Sequence, residues 1–214
     1  MRVTRAGDTM IMVELEPVVD PRVNERAIAM GRRVAERQLP GVRDVVPGYC
    51  SLGVHFDPLR TDLALLETVV AEEAAAEPAT GAGATGRVHE IPVAYGGTDG
   101  PDLDEVARAA GMAPAEVIAC HSATVYRVYM LGFVPGFAYL GRVDPRIAIP
   151  RRRVPRESVP AGAVGIAGAQ TGVYPLSTPG GWQIVGRTDA VMFDAARTPA
   201  SLLQPGDRVR FVPR

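Results

Sequence analysis

The sequence predicts an α+β chain in two parts: a small N-terminal α/β sandwich of order βαββα, then a β-rich part made of many short strands. Three observations carry this reading. Two amphipathic helical repeats alternate with strand-like runs over the first third of the chain. Glycine is sparse there, with 5 of the 23 glycines in residues 1–80, and frequent afterwards, where it punctuates brief apolar runs. Between the two lies Ala74-Ala-Ala-Glu-Pro-Ala-Thr-Gly-Ala-Gly-Ala-Thr-Gly86, a stretch of small residues with no large apolar side chain to bury. The expected division is 1–77, a linker at 78–87, and 88–214.

The elements follow in order. Met10 to Leu15 is a strand of β-branched and apolar residues. Asp20-Pro21 places a capping carboxylate before a proline at the first helical position, where its missing N–H costs nothing. Val23, Ala27, Met30 and Val34 then mark one buried helix face, and Pro40-Gly41 ends it. Leu52, Val54 and Phe56 alternate with Ser51, Gly53 and His55 as a half-buried strand. Asp57-Pro58 repeats the cap-and-proline start for a second helix through Leu59, Leu63, Leu66 and Val70. Two helices on one face of a small antiparallel sheet fit this order. In the second part, Asp102-Leu-Asp-Glu105 reads as a capping box opening a helix that Gly111 closes, and another short helix runs from Pro114 to near His121. From there to Val209-Arg-Phe-Val212 the pattern is short strands with Gly/Pro turns, a barrel or sandwich.

Composition removes several functions. The 23 basic residues are all arginine, which excludes a Schiff-base lysine and a P-loop. A formal net charge of −1 argues against non-specific nucleic-acid binding. The most apolar stretch, Val128 to Leu140, is too short and too glycine-broken to span a bilayer. The N-terminal ten residues have no apolar signal core, and Cys50 and Cys120 form neither a disulfide framework nor a metal-ligand pattern, so a reduced cytoplasm is the expected setting. No G-x-S-x-G, H-E-x-x-H, C-x-x-C or dinucleotide fingerprint is present.

The chemistry-bearing residues concentrate between His121 and Arg187. Phe133, Phe137 and Tyr139 crowd two glycines and a proline, as walls of a ligand loop or as core fillers of a tight turn. Arg146, Arg151, Arg152, Arg153 and Arg156 fall in one run without an acid, suited to carboxylate or phosphate or to a solvated loop. His121 sits on the Val117/Ile118 face at a helix C-terminus, where the dipole favours a protonated ring and where acid–base chemistry is also open to it. Gly162, Gly165, Gly168 and Gly172 either cradle an anion or let a barrel close, and Gln170, Thr171 and Tyr174 lie beside them.

Taken in order, Tyr95-Gly-Gly-Thr-Asp-Gly-Pro-Asp-Leu103, His121, Gly132-Phe-Val-Pro-Gly-Phe-Ala-Tyr-Leu140, Pro150-Arg-Arg, Pro155-Arg156, Val159-Pro-Ala-Gly162, Gln170-Thr-Gly-Val-Tyr-Pro175, Pro179-Gly-Gly-Trp182 and Gly186-Arg-Thr188 resemble the 5-oxoprolinase B-subunit family, also called allophanate hydrolase subunit 1 or carboxyltransferase domain, subdomains C and D. Ala163 and Thr178 depart from it, standing where the family usually has serine. The resemblance implies a cyclophilin-like β-barrel as the second part, a homologous second subunit and a third chain as partners, and ATP with magnesium, held at the partner interface, for opening 5-oxoproline to glutamate. Within it, His121, Arg156 and Gln170 take catalytic roles. Phe133, Phe137, Tyr139, Arg151, Arg152, Thr171, Tyr174 and Trp182 line the substrate site, and no metal ligand is assigned in this chain. Two other member types stay open: a non-catalytic inhibitor of a sensor histidine kinase, and a carboxyltransferase or allophanate hydrolase subunit of urea metabolism.

Overall fold

The computed structural model describes residues 1–76 and 86–214. It separates into two compact units, Met1–Thr85 and Gly86–Arg214. Most of the stretch read as a linker lies outside the described residues.

In the first unit, strands β1 (Arg2–Arg5), β2 (Met10–Glu14), β3 (Val42–Pro47) and β4 (Ser51–Phe56) form an antiparallel sheet of order β1-β2-β4-β3. Helices α1 (Pro21–Glu36) and α2 (Leu63–Ala75) cover it. The alternation along β2 and β4 turns Ile11, Val13, Leu52, Val54 and Phe56 toward Val23, Ala27, Met30 and Val34 of α1 and Leu66 and Val70 of α2. Asp20 caps α1 as expected, accepting the Arg22 N–H at 2.7 Å. The helices are also tied by charge. Glu73 of α2, 8% exposed, receives Arg33 and Arg37 of α1 at 2.6 Å each.

Two expectations need correction. The sheet has a fourth strand, β1, because Arg2-Val-Thr-Arg5 pairs along β2 although only one of its residues is strongly apolar. Helix α2 begins at Leu63, not near Pro58. Asp62 is its cap, accepting Leu65 N–H at 3.1 Å, while Asp57 takes Leu59 N–H and the Arg43 guanidinium in a preceding turn. Leu59, expected on the buried face, is 94% exposed.

The second unit is built on a closed barrel of seven strands in the order β10-β7-β6-β13-β5-β12-β9. Its members are β5 (Val88–Tyr95), β6 (Val125–Leu131), β7 (Ala138–Gly141), β9 (Ala163–Ala167), β10 (Gln170–Val173), β12 (Gln183–Arg187) and β13 (Arg208–Pro213). Helices α3 (Leu103–Ala110) and α4 (Pro114–Ala123) pack on β12 and β13. Gly111, at φ +64°, closes α3 as expected. Strands β8 (Arg156–Val159) and β11 (Thr178–Gly180) pair as a separate ribbon.

Strands β9, β10 and β12 bury both faces, so they read as glycine-rich apolar runs rather than clean alternations. Inward, Val164, Ile166, Val173, Val185, Ala138 and Leu140 join the barrel core. Outward, Ala163, Ala167, Tyr174, Ile184 and Phe137 join Val159 and Trp182 in a second core. Glycine is required where the outer layer comes close: a Cβ on Gly172 would meet the Ala138 carbonyl at 2.9 Å and the rings of Phe137 and Trp182 at 3.2 and 3.3 Å. Gly172 therefore serves barrel packing. No helix of the described residues is long and apolar enough to cross a membrane.

Candidate functional site

Asp102 organises the site. It directly precedes α3, where the sequence suggests a cap, yet its carboxylate makes no capping bond. Instead Oδ1 accepts Arg152 Nη1 at 2.9 Å and Arg156 Nη2 at 2.7 Å, and Oδ2 accepts the Ile184 backbone N–H at 2.6 Å. Asp102 is 4% exposed, and three donors satisfy its buried oxygens. A buried carboxylate thereby fixes two guanidinium groups that would otherwise swing on flexible stems.

The chain around it is pinned by its own backbone. Arg152 N–H donates to the Gly181 carbonyl at 2.7 Å, and Gln183 Nε2 donates to the Pro150 carbonyl at 3.3 Å. These ties seat the segment 150–154, which has no regular structure of its own, beside the start of β12. The result is an open cleft of about 700 Å³, in the size range of small-molecule sites. Pro101, Asp102, Glu105, Ile149, Gln183 and the segment 150–154 line it. Ile149 belongs to the barrel core as well, so the cleft floor abuts that core.

Its charge is positive. Arg151, Arg152 and Arg153 face two acids, Asp102 and Glu105, and Arg156 adds a fourth guanidinium at Asp102, while Glu105 is already engaged by Arg108. Arg151 and Arg153 are exposed and make no ion pair among the described residues. Three polar atoms here are buried without a hydrogen-bond partner: Arg152 Nε, Arg156 Nη1 and Gln183 Oε1. Each such group costs on the order of 1–3 kcal/mol relative to a satisfied one. Arg152 and Gln183 line the cleft, and Arg156 joins them through Asp102.

Behind the arginine segment stands the outer aromatic core. The Phe137 ring lies 5.0 Å from Tyr139, 5.4 Å from Tyr174 and 5.4 Å from Trp182, with edge-to-face geometry throughout. Phe137, Tyr174 and Trp182 are 4% exposed or less, so they support the site as packing rather than line it. Burial raises the Tyr174 phenol, and the Trp182 backbone N–H together with the nearby charges of Arg151 and Arg156 partly offset that. Phe133 differs. It is 60% exposed and holds φ at +71°, a left-handed backbone costly for an aromatic residue.

His121 is elsewhere. Its ring is fully buried inside the barrel, stacked on Phe211 at 4.7 Å, and it does not line the cleft. Thr171 Oγ1 spends its hydrogen on the Gly165 carbonyl at 2.9 Å, so it accepts from His121 Nε2 at 2.8 Å. Nδ1 is then the acceptor for the Tyr95 hydroxyl at 2.7 Å. The imidazole is neutral, with desolvation holding its pKa down to about 3. Burial thus overrides the helix dipole, and His121 stands as a hydrogen-bonded core histidine away from the arginines. Thr171 shares that network, is fully buried and does not line the cleft. Gln170 pairs with Gly141 and Ala167 at the edge of β10 and does not line the cleft.

Of the residues singled out from the sequence, Arg151, Arg152 and Arg156 come together, with Tyr174 and Trp182 close behind. Arg146 leaves the group, held by Asp144 at 2.6 Å. Asp102 and Gln183 join the site without having been singled out by sequence reasoning. Asp102 is visible as an acid two residues after Gly100, and Gln183 as the polar residue following Gly180-Gly-Trp182, but neither has a local signal for its real partners.

The sequence family described as "Carboxyltransferase domain, subdomain C and D" matches residues 1–203. The chain is 42% identical over 220 residues to the 5-oxoprolinase B-subunit of Bacillus subtilis (strain 168), covering 99% of this chain and 92% of that one. It is 43% identical over 212 residues to the 5-oxoprolinase B-subunit of Escherichia coli O157:H7, covering 97% and 94% respectively. Among solved structures, the crystal structure of TTHA0988 superposes with a TM-score of 0.83 at 40% identity, covering 96% of this chain. This chain spans 40% of the length of the TTHA0988 chain.

Proposed function

The chain belongs to the carboxyltransferase domain, subdomain C and D family, and on that premise we propose that it is one subunit of an ATP-dependent 5-oxoprolinase. The curated relatives' name supports the substrate, and the cleft supports the chemistry. 5-Oxoproline carries a carboxylate at neutral pH, and ATP carries phosphates. A cleft whose exposed arginines, Arg151 and Arg153, make no ion pair among the described residues fits either anion. The observation that carries this reading is the buried Asp102 holding Arg152 and Arg156 at a cleft whose outer arginines have no internal acid.

In the proposed reaction, the lactam carbonyl oxygen takes the terminal phosphoryl group of ATP, forming one O–P bond as the bond to ADP breaks. The ring carbon loses its amide resonance, and water attacks it. Ring C–N cleavage and loss of phosphate, with a second water consumed, give glutamate, ADP and phosphate. Arg152 and Arg156 would neutralise the anion nearest the reacting carbonyl, and Arg151 and Arg153 would draw it in. ATP brings its magnesium with it as substrate. A homologous second subunit and a third chain would supply the remaining groups.

The test is co-expression with the partner subunits, followed by glutamate release from 5-oxoproline with and without ATP. ATP-dependent release that needs all chains is expected, and Arg151→Ala/Arg153→Ala should lower kcat/KM for 5-oxoproline about tenfold without loss of folding. Release absent from every combination would move the chain to the non-catalytic binding type. Unchanged kcat/KM in the double variant would discard the arginine cleft as the anion site.

A further inference from the structure

We infer that two copies of this chain pair through the first unit, each placing Leu59 in a pocket at the start of helix α2 of the other. Leu59 is 94% exposed, on a turn that is held in place before any partner arrives. Pro58 fixes one dihedral of that turn, Asp57 Oδ1 accepts the Leu59 N–H at 3.1 Å, and the Asp57 carbonyl accepts the Arg60 N–H at 3.0 Å. The Arg43 guanidinium holds the same carboxylate at 2.6 Å. The turn also packs on Gly41, where a Cβ would meet the Arg60 carbonyl carbon at 2.8 Å. A large apolar side chain on a fixed turn in water gains by burial and has little order left to lose.

The complementary hole begins one residue further on. Leu39, Pro40, Leu65 and Leu66, with Arg60 and Asp62 beside them, line a pocket of about 210 Å³. An apolar cavity of about 150 Å³ holds a benzene molecule, so a leucine side chain fits. Leu59 is not among the lining residues and does not fill the pocket of its own chain. Knob and hole lie side by side on one surface, so a two-fold axis between two copies sends each knob into the opposite hole at once. The charges obey the same symmetry. Arg60 forms no ion pair among the described residues, and the Asp62 carboxylate takes only the Leu65 N–H there, at 3.1 Å. The same axis brings Arg60 to the partner's Asp62, and Asp62 to the partner's Arg60. A different protein would have to reproduce both the shape and the charge pattern that a second copy already carries.

Sedimentation equilibrium on the full chain tests this, with thermal melts to check folding. A reversible dimer with Kd below about 100 µM is expected. Leu59→Asp, which removes the knob, and Leu65→Trp, which plugs the hole, should each weaken it at least about tenfold with the melts unchanged. Mixing the two variants separates this arrangement from any other. The mixed pair keeps one knob facing one open hole, so it should associate more tightly than either variant alone. Arg60→Glu should also weaken the dimer, by about threefold to tenfold at low salt and by less at high salt. A wild-type chain that is monomeric at about 100 µM, a dimer indifferent to Leu59→Asp, or a mixture no tighter than its components overturns the inference. Each of these outcomes leaves the 5-oxoprolinase reading where it stands, because the contact lies in the first unit and the cleft in the second.

Discussion

At the scale of single residues, Asp102 and His121 show what local sequence conveys and where it stops. The spacing of His121 from Val117 and Ile118 predicts the buried face of α4, and the structure puts it there. Its protonation is not legible locally, because Tyr95 and Thr171, which fix the tautomer, lie 26 and 50 positions away. The neutral ring has a consequence for pH. Its folded pKa of about 3 lies below the ordinary 6.5, so the unfolded chain binds the extra proton first as pH falls. Stability from this site is complete above about pH 6.5 and declines down to about pH 3, by about 2 kcal/mol at pH 5. Urea unfolding of wild type and His121→Gln at pH 7 and pH 5 should show a larger acid loss in wild type; equal losses would contradict the neutral core assignment. Asp102 looks like a helix cap because an acid before Leu-Asp-Glu usually is one. The arginines that claim it come 50 and 54 residues later. Asp102→Asn keeps the oxygen for the Ile184 N–H and removes the charge, and is expected to cost about 1–3 kcal/mol in denaturant unfolding.

At the scale of elements, the helices are more legible than the strands. Periodicity locates α1, and the Asp20-Pro21 start matches the structure to the residue. The same dipeptide logic misplaces the start of α2, because Asp57-Pro58 builds a turn and Asp62 does the capping. Strand β1 has no sequence signal, since an edge strand with two arginines presents no apolar face. The α1–α2 contact carries its own test. Arg37 first, then Arg33, hold the Glu73 carboxyl below its usual range, so the contact stabilises at neutral pH and is lost as pH falls through that depressed value. Glu73→Gln should lower the melting midpoint of the first unit by about 5 °C at pH 7 and by less in acid. In β10, the close approach of Phe137 and Trp182 predicts that Gly172→Ala overpacks the outer core. A loss of about 1–3 kcal/mol, with an altered Trp182 emission spectrum, is the expected outcome.

At the scale of the whole molecule, the two-part α+β architecture follows from composition. Residues 1–77 carry 9 arginines and 13 acids, residues 78–214 carry 14 and 11, and the positive part is the one with the cleft. The ordered motifs lead to the family; they do not assemble the site. Arginines 151, 152 and 156 converge as the anion reading requires, whereas the histidine and threonine that the resemblance groups with them belong to the barrel interior. Long-range pairing decides which side of a barrel wall a residue faces, and no local pattern encodes it when both sides are buried. The central claim is that the anionic substrate sits in the cleft lined by Arg151, Arg152 and Arg153 beside Asp102. It is tested most directly by mass-spectrometric mapping of phenylglyoxal adducts on the assembled complex with and without 5-oxoproline. Protection of Arg151, Arg152 and Arg153, with Arg2 and Arg146 labelled equally in both states, is the result expected. Equal labelling of the cleft arginines at saturating 5-oxoproline would contradict it.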